Sequence, residues 1–432
     1  MHGNPSLKKV LKPVHLWALA VGLVISGEYF GWNLGWDVAG TGGFLIATIL
    51  VTIFYVTFIF SFTELTAAIP HAGGPFAYAY KALGPLGGLI AAYATLVEFL
   101  LAPPAVAFAL GSYVHFLAPA LPVLAVAIGS YVVFTIINFL GIKESVVFSL
   151  VVTILAVCEL LLFMGVVAPG FKWENFKQDA MPFGWGGVFA ALPFAIWFYL
   201  AIEGVAMVAE EVKDPQRTIP RGYIYGIVTL VLLAFGVMFF TGGVTDWHTL
   251  ARIDYPLPEA ISAVLGKQNS WTKVFAGIGL FGLVASFHGV IISYSRQLYA
   301  VARDGYLPKV LARVNQKHRT PNVAMVVGGL VGVIALCLFN TGDVITLSAL
   351  GAVVMYIISM ISLFVLRRKQ PALERPFKVP LYPWFPGIAL ILAIVCLIAI
   401  VWYNLFLSVL FFGFMILLIG LFIAFRKPVL SS

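Results

Sequence analysis

Charge is what this 432-residue chain has least of: Asp, Glu, Lys and Arg together make up 10% of it. An average soluble domain carries about 25%, so the polar surface that a water-soluble globule needs is missing. That excludes a soluble enzyme and a soluble nucleic-acid-binding domain. Cysteine is scarce as well, with only Cys158, Cys337 and Cys396. Their odd number and wide spacing form neither a disulfide framework nor a metal site. No G-x-x-x-x-G-K-S/T loop is present to cradle ATP phosphates, which argues against a self-contained ATP-driven pump. No H-E-x-x-H motif or nucleophile–base pair supports an intramembrane enzyme.

Apolar sequence is what the chain has instead: 61% of its residues are hydrophobic and its mean hydropathy is +1.01. Runs of about 20 apolar residues, long enough to cross a bilayer as helices, recur from one end to the other. This is more than a single-anchor receptor would carry. Twelve spans are expected near 14–39, 43–69, 85–117, 121–141, 145–168, 187–210, 220–243, 271–303, 321–340, 343–367, 384–403 and 405–425. The expected fold is all-α and polytopic, a single transmembrane domain over 1–432. Lys8, Lys9 and Lys12 precede the first run in the manner of a signal peptide. However, the run continues past Glu28 with no small-residue cleavage site, so it is read as a retained span.

An even number of spans puts both termini on one side. Most of the 26 basic residues then fall on that side, leaving Lys172, Lys177, Arg252, Lys267 and Lys273 on the other. By the positive-inside bias the termini are expected to be cytoplasmic, in a multi-pass protein of the cytoplasmic (inner) membrane. The basic segment Asp304–Thr320 carries Leu307, Val310, Leu311 and Val314 at helical spacing and reads as an interfacial amphipathic helix.

Most acids lie in loops or at span ends, but Glu28, Glu98, Glu159 and Glu203 do not. Ionisable groups in hydrocarbon are costly and mark substrate, ion or proton paths. Glu28, Glu98 and Glu159 each follow roughly 13 or 14 residues of helix, about 20 Å from the basic side. Glu203 and His288 fall near the same level. A polar site around the midplane is therefore expected, although buried hydrogen bonds between helices explain some of these groups equally well.

Two spans carry helix-breaking residues beside an acid: Ile25-Ser26-Gly27-Glu28-Tyr29-Phe30-Gly31-Trp32 in span one, and Pro193 through Trp197, Tyr199 and Ala201 to Glu203-Gly204 in span six. Interrupted helices at corresponding positions of two halves point to a midplane site between inverted repeats. Span six is the first after five, as a five-plus-five repeat requires. The expected halves are 1–168 and 187–367, with 384–425 peripheral. Tyr29, Trp32, Trp36, Trp197 and Tyr199 offer aromatic faces suited to an organic cation. Core packing, or an interfacial belt, is the competing reading for Trp32 and Trp36.

Four motifs, in order and spread over nearly the whole chain, resemble the amino acid–polyamine–organocation superfamily of secondary transporters. They are Glu64-Leu65-Thr66 through Pro70-His71-Ala72-Gly73-Gly74-Pro75, Ala209-Glu210-Glu211-Val212-Lys213-Asp214-Pro215, Ser295-Arg296-Gln297-Leu298-Tyr299 through Arg303-Asp304-Gly305, and Arg375-Pro376-Phe377-Lys378-Val379-Pro380. The resemblance implies an inverted-repeat core of spans one to ten working by alternating access. Gly27-Glu28-Tyr29-Phe30-Gly31-Trp32-Asn33 with Ser286-Phe287-His288-Gly289 is similar to the bacterial ethanolamine permease branch.

In amino-acid-carrying members the first break holds the substrate carboxylate through backbone N–H groups. Here Ser26-Gly27-Glu28 or Ile25-Ser26-Gly27 corresponds, and Glu28 would repel a carboxylate and suit an ammonium. The resemblance further implies that Glu98 lines the substrate, Trp197 is the aromatic gate, Ala201 packs against the substrate and Glu203 is a family acid associated with proton sensing. The lysine that proton-coupled members carry on span five is replaced by Ala156, with Glu159 one turn later.

The expected substrate-binding set is thus Ser26, Gly27, Glu28, Tyr29, Glu98, Trp197, Tyr199, Ala201 and His288, with Glu203 and Glu159 as coupling candidates. No residue is assigned a catalytic or metal-binding role. The expected function is secondary active import of ethanolamine or a close amino alcohol, driven by protons or, alternatively, by sodium. The competing readings are a permease or exchanger of cationic or small neutral amino acids or of polyamines, and a substrate sensor, for which no signalling domain is appended. The expected partners are a small amine and the bilayer. No cofactor, nucleic acid or obligatory protein partner is expected.

Overall fold

The computed structural model describes residues 9–267 and 269–425. Lys8, Arg426 and Lys427, part of the expected basic side, lie outside them, as does the side chain of Lys143. A bilayer core offers no water to backbone N–H and C=O groups, so a chain this apolar must satisfy them within helices. Nine helices among the described residues are long and apolar enough to cross a membrane. The three other expected spans are the shorter apolar helices Pro13–Val24, Val123–Phe139 and Asn322–Leu338. Among the described residues the only pairing of extended backbone is one bridge between Leu11 and Val212. The protein is an all-α polytopic membrane protein.

Two glycines with positive φ divide what would otherwise be overlong helices. Gly40 (φ 69°) separates the end of span one from span two within Leu34–Ala68. Gly84 (φ 80°) separates a short helix beginning at Pro75 from span three, which ends at Leu117. Span three packs most extensively against span ten, Thr341–Lys369. A side chain at Gly351 on span ten would meet the Ala94 carbonyl at 2.5 Å, so this contact requires glycine. Burial separates core from periphery. Of the most apolar stretch, 94% is buried in span six but 17% in span twelve, which places six at the centre of the bundle and twelve at its rim.

The segment 304–320 departs from expectation. It contains a single short 3-10 turn, Lys309–Ala312, and no amphipathic helix. Gly305 adopts φ 85° and Arg319 φ 55°, and Asn315 closes a loop by donating its amide to the Thr320 carbonyl at 2.8 Å. Helical spacing of four apolar residues does not survive a glycine and Pro308 at the start of the segment.

Candidate substrate site

Span one is interrupted twice. Its first helix, Pro13–Val24, ends in a turn at Ile25, and a four-residue helix, Ser26–Tyr29, follows. Phe30 is fully extended (φ −162°, ψ 173°) and Gly31 has φ 86° before helix resumes at Leu34. The turn at Ile25 falls within one of the two expected registers, Ile25-Ser26-Gly27, whereas the fuller unwinding lies at residues 30–33, beyond both it and Ser26-Gly27-Glu28. Span six runs as Leu192–Trp197, unwinds over 198–201, and continues as a ten-residue 3-10 helix, Ile202–Glu211. Ala201 occupies the left-handed region (φ 76°, ψ 4°), a strained conformation for a residue with a Cβ. Long 3-10 stretches are uncommon and mark strain or hinges.

The two interruptions touch. A Cβ at Gly27 would collide with the Trp197 carbonyl, so only glycine permits this approach. The Phe30 and Trp197 rings meet edge-on at 5.6 Å, and Trp32 stacks on Phe198 at 5.6 Å. Trp32 and Trp36 are fully buried, 4.7 Å apart edge-on, and so belong to the core rather than to an interfacial belt. Between the interruptions, Ser26, Trp197, Ala201 and Ser286 line a cavity with the aliphatic side chains of Leu23 and Val290. Its volume is ≈ 10 Å³, about the least that holds one water molecule. The Ser26 hydroxyl donates to Ser286 at 2.7 Å, and Ser286 donates to the Leu23 carbonyl at 2.5 Å.

None of the four acids lines this cavity. Both carboxylate oxygens of Glu28 are buried with no hydrogen-bond partner among the described residues. Its backbone carbonyl accepts from the Trp32 indole at 3.2 Å. Glu98 on span three lies beside Glu203 on span six, and both Glu98 oxygens and Glu203 Oε1 are buried with no hydrogen-bond partner among the described residues. The Tyr356 hydroxyl donates to Glu203 at 3.0 Å, and Tyr55 lies 2.9 Å from Tyr356. Tyr199 is bonded to Thr52 at 2.7 Å. Glu159 accepts from the Tyr29 hydroxyl at 2.6 Å.

His288 is turned away from the cavity. Residues two apart on a helix point about 200° apart, so the face that presents Ser286 and Val290 hides His288. Its imidazole lies 2.9 Å from the Asn138 side chain and packs edge-on against Phe148. Sequence reasoning chose the titratable residue of Ser286-Phe287-His288-Gly289 and missed the serine; four-residue spacing with Val290 is the signal that marks it. Tyr356 was missed because one tyrosine in an apolar run carries no mark of its own.

The four motifs meet in pairs at the end of the bundle that holds the described N-terminal residues. Glu64 takes bonds from Arg367 at 2.8 Å and from the Val379 amide at 2.8 Å, with Arg375 at 3.3 Å. Glu211 pairs with Arg296 at 2.8 Å, and Glu210 with Arg303 at 2.8 Å. Among the described residues no three His, Cys, Asp or Glu side chains cluster as a metal site.

A helical bundle in which two interrupted spans meet beside a small, partly polar cavity is an arrangement suited to a membrane transporter. The chain belongs to the amino acid permease family, whose model matches residues 11–427. It is 30% identical to an uncharacterized transporter of Rhizobium meliloti (strain 1021), over 90% of this chain and 85% of that protein. It is 28% identical to the branched-chain amino acid permease BcaP of Bacillus subtilis (strain 168), over 93% and 90%. With the methylthioribose transporter of the same organism the identity is 26%, over 89% and 87%. Within the amino acid–polyamine–organocation superfamily it is a permease, not an enzyme.

Proposed function

We propose that this permease imports ethanolamine or a closely related small amino alcohol across the cytoplasmic membrane, with both termini inside, by alternating access coupled to protons. The observation that carries the reading is Glu28. Glu28 does not line the cavity as it stands, but a carboxylate with two buried, unpartnered oxygens at the interruption of span one is costly unless a cation joins it when the interruptions move apart. An ammonium relieves that cost, whereas a substrate carboxylate adds to it. Ser26 and Ser286 suit the cargo's hydroxyl, since they already exchange a hydrogen bond that a hydroxyl can enter. Trp197 and Ala201 close over it. Glu98, Glu203 and Tyr356 form the group through which a proton accompanies the cargo.

The test is thermal unfolding of the purified protein with ethanolamine, ethylamine, alanine, leucine, arginine and putrescine. Ligand at 100 times its Kd stabilises by about 2.7 kcal/mol. Ethanolamine is expected to stabilise the protein, ethylamine less, and the amino acids not at all. Glu28→Gln is expected to remove the ethanolamine shift. A second reading, a permease or exchanger of amino acids or polyamines, draws support from the named cargo of the branched-chain relative. Stabilisation by leucine, arginine or putrescine, with none by ethanolamine, would select it.

A further inference from the structure

A second cavity, ≈ 660 Å³ in volume, lies away from the two interruptions, and three spans end at it. Ile69 caps the C-terminus of span two, and Pro85 follows the Gly84 break that opens span three. Phe422 stands one turn before the end of Leu405–Phe425, span twelve. Span ends stand at the depth of the lipid headgroups. The cavity therefore lies at headgroup level, in the leaflet at the end of the bundle that holds the described N-terminal residues. Span twelve, which forms one wall, is the rim of the bundle, so that wall borders lipid.

The lining carries both signs of charge beside a group of aromatic rings. Tyr306 meets Phe76 edge-on at 5.1 Å, stacks on Phe422 at 5.7 Å and lies edge-on to Tyr80 at 6.5 Å. The Tyr306 hydroxyl donates to the Pro85 carbonyl at 3.1 Å, so the ring is what it offers a ligand. Asp304 supplies negative charge. Its oxygens stand 3.7 Å from His71 Nε2 and 3.8 Å from Arg303 Nε, both beyond hydrogen-bond length. Arg303 is instead held by both oxygens of Glu210, at 2.8 and 3.1 Å. Lys81 supplies positive charge. It is exposed and has no hydrogen-bond or ion-pair partner among the described residues. Lys81 and Asp304 thus line one cavity without pairing with each other.

A ligand that carries both signs satisfies that lining. An anionic headgroup would meet Asp304, and a simple cation would meet Lys81. A phosphate beside a primary ammonium suits both, through charge-assisted bonds at each end and an aromatic face beside the cation. A quaternary ammonium has no N–H to donate to Asp304. Leu83 and Leu86, exposed next to Lys81 and Pro85, offer apolar surface for chains. We infer that this cavity is a binding site for phosphatidylethanolamine, with its phosphate on Lys81, its ammonium between Asp304 and the Tyr306 ring, and its acyl chains along span twelve. A bound lipid would join the segment before span three, the end of span eight and the peripheral span twelve. The inference stands whichever cargo is carried.

The experiment is native mass spectrometry of the purified full-length protein from mixed micelles. These hold equal amounts of phosphatidylethanolamine, phosphatidylcholine and phosphatidylglycerol. Wild type is expected to retain phosphatidylethanolamine about tenfold over either competitor, the worth of one charge-assisted hydrogen bond. Asp304→Asn is expected to erase that preference. Lys81→Gln is expected to cut retention of all three lipids about tenfold, because each carries a phosphate, and Lys81→Arg to keep it. Lys172→Gln, at an exposed lysine beyond the far end of span five, is expected to behave as wild type. No retained lipid, equal retention of the three by wild type, or a preference unchanged in Asp304→Asn overturns the inference. Displacement of the lipid by equimolar free phosphoethanolamine also overturns it, and makes the cavity a site for a soluble headgroup. Lys81 is exposed, so unchanged retention in Lys81→Gln decides against the site even if Asp304→Asn does not fold.

Discussion

Arg296 donates to the Glu211 carboxylate at 2.8 Å with both side chains only 1% exposed, and the Glu211 backbone carbonyl accepts the amides of Val10 and Leu11 at 2.9 and 3.0 Å. One residue thus joins span eight, the end of span six and the N-terminal segment. The Lys213 amide returns the link by donating to the Leu11 carbonyl at 3.2 Å. Removing the arginine leaves a buried carboxylate uncompensated. Arg296→Met is expected to destabilise the protein by about 3–5 kcal/mol, and pairing it with Glu211→Leu to recover most of that loss. Unfolding of the detergent-purified variants measures both. A loss under about 1 kcal/mol in Arg296→Met would show that the pair contributes little.

Glu203 takes the Tyr356 hydrogen bond and faces Glu98, which makes it the central member of the proposed proton group. Uptake is expected to depend on external pH and to collapse in Glu203→Gln, while ethanolamine binding is largely kept. Radiolabelled uptake and the thermal shift, run on the same variant, separate the two effects. Continued accumulation against a gradient by Glu203→Gln removes it from coupling.

Ala201 holds a left-handed conformation in the unwound stretch of span six, at a cost of roughly 1–2 kcal/mol for a residue with a Cβ. Ala201→Gly is expected to keep transport and to raise stability by up to about 1 kcal/mol, part of the relief being offset by glycine's larger entropy loss on folding. Ala201→Val is expected to lose transport, because a branched side chain suits neither this backbone nor the cavity wall. Equal uptake by the two variants would mean that the left-handed turn is dispensable.

Asp254, in the 244–270 connection, accepts the Thr341 hydroxyl at 3.0 Å, and burial lifts its carboxyl above the ordinary 3.8 despite that bond. A group whose value is higher folded than unfolded contributes stability that is full below the unfolded value and lost as pH rises through the folded one. The unfolding temperature is therefore expected to fall over that window in wild type and to change less in Asp254→Asn. Parallel pH profiles for the two proteins would exclude the contribution.

Hydropathy alone marked the apolar segments and their order. A 20-residue apolar run has one stable place, inside hydrocarbon as a helix, whatever its neighbours are. The interruptions were legible too, because Gly31 and Pro193 change the backbone locally, although the fuller unwinding at 30–33 falls at Gly31 rather than at Gly27. Facing was not legible. Which side of span eight meets the cavity depends on how that helix packs, and a rotation of 200° decides between Ser286 and His288. Pairings were not legible either: Glu64 finds Arg367 303 positions away, and Glu211 finds Arg296 85 positions away. Nothing in the local pattern distinguishes those arginines from solvated loop charges. Hydropathy and backbone preference are properties of a short segment, whereas the partner of a buried group is set by every helix around it, so only the tertiary structure decided which acids are paired, as Glu64 and Glu211 are, and which, like Glu28 and Glu98, stand without a partner among the described residues.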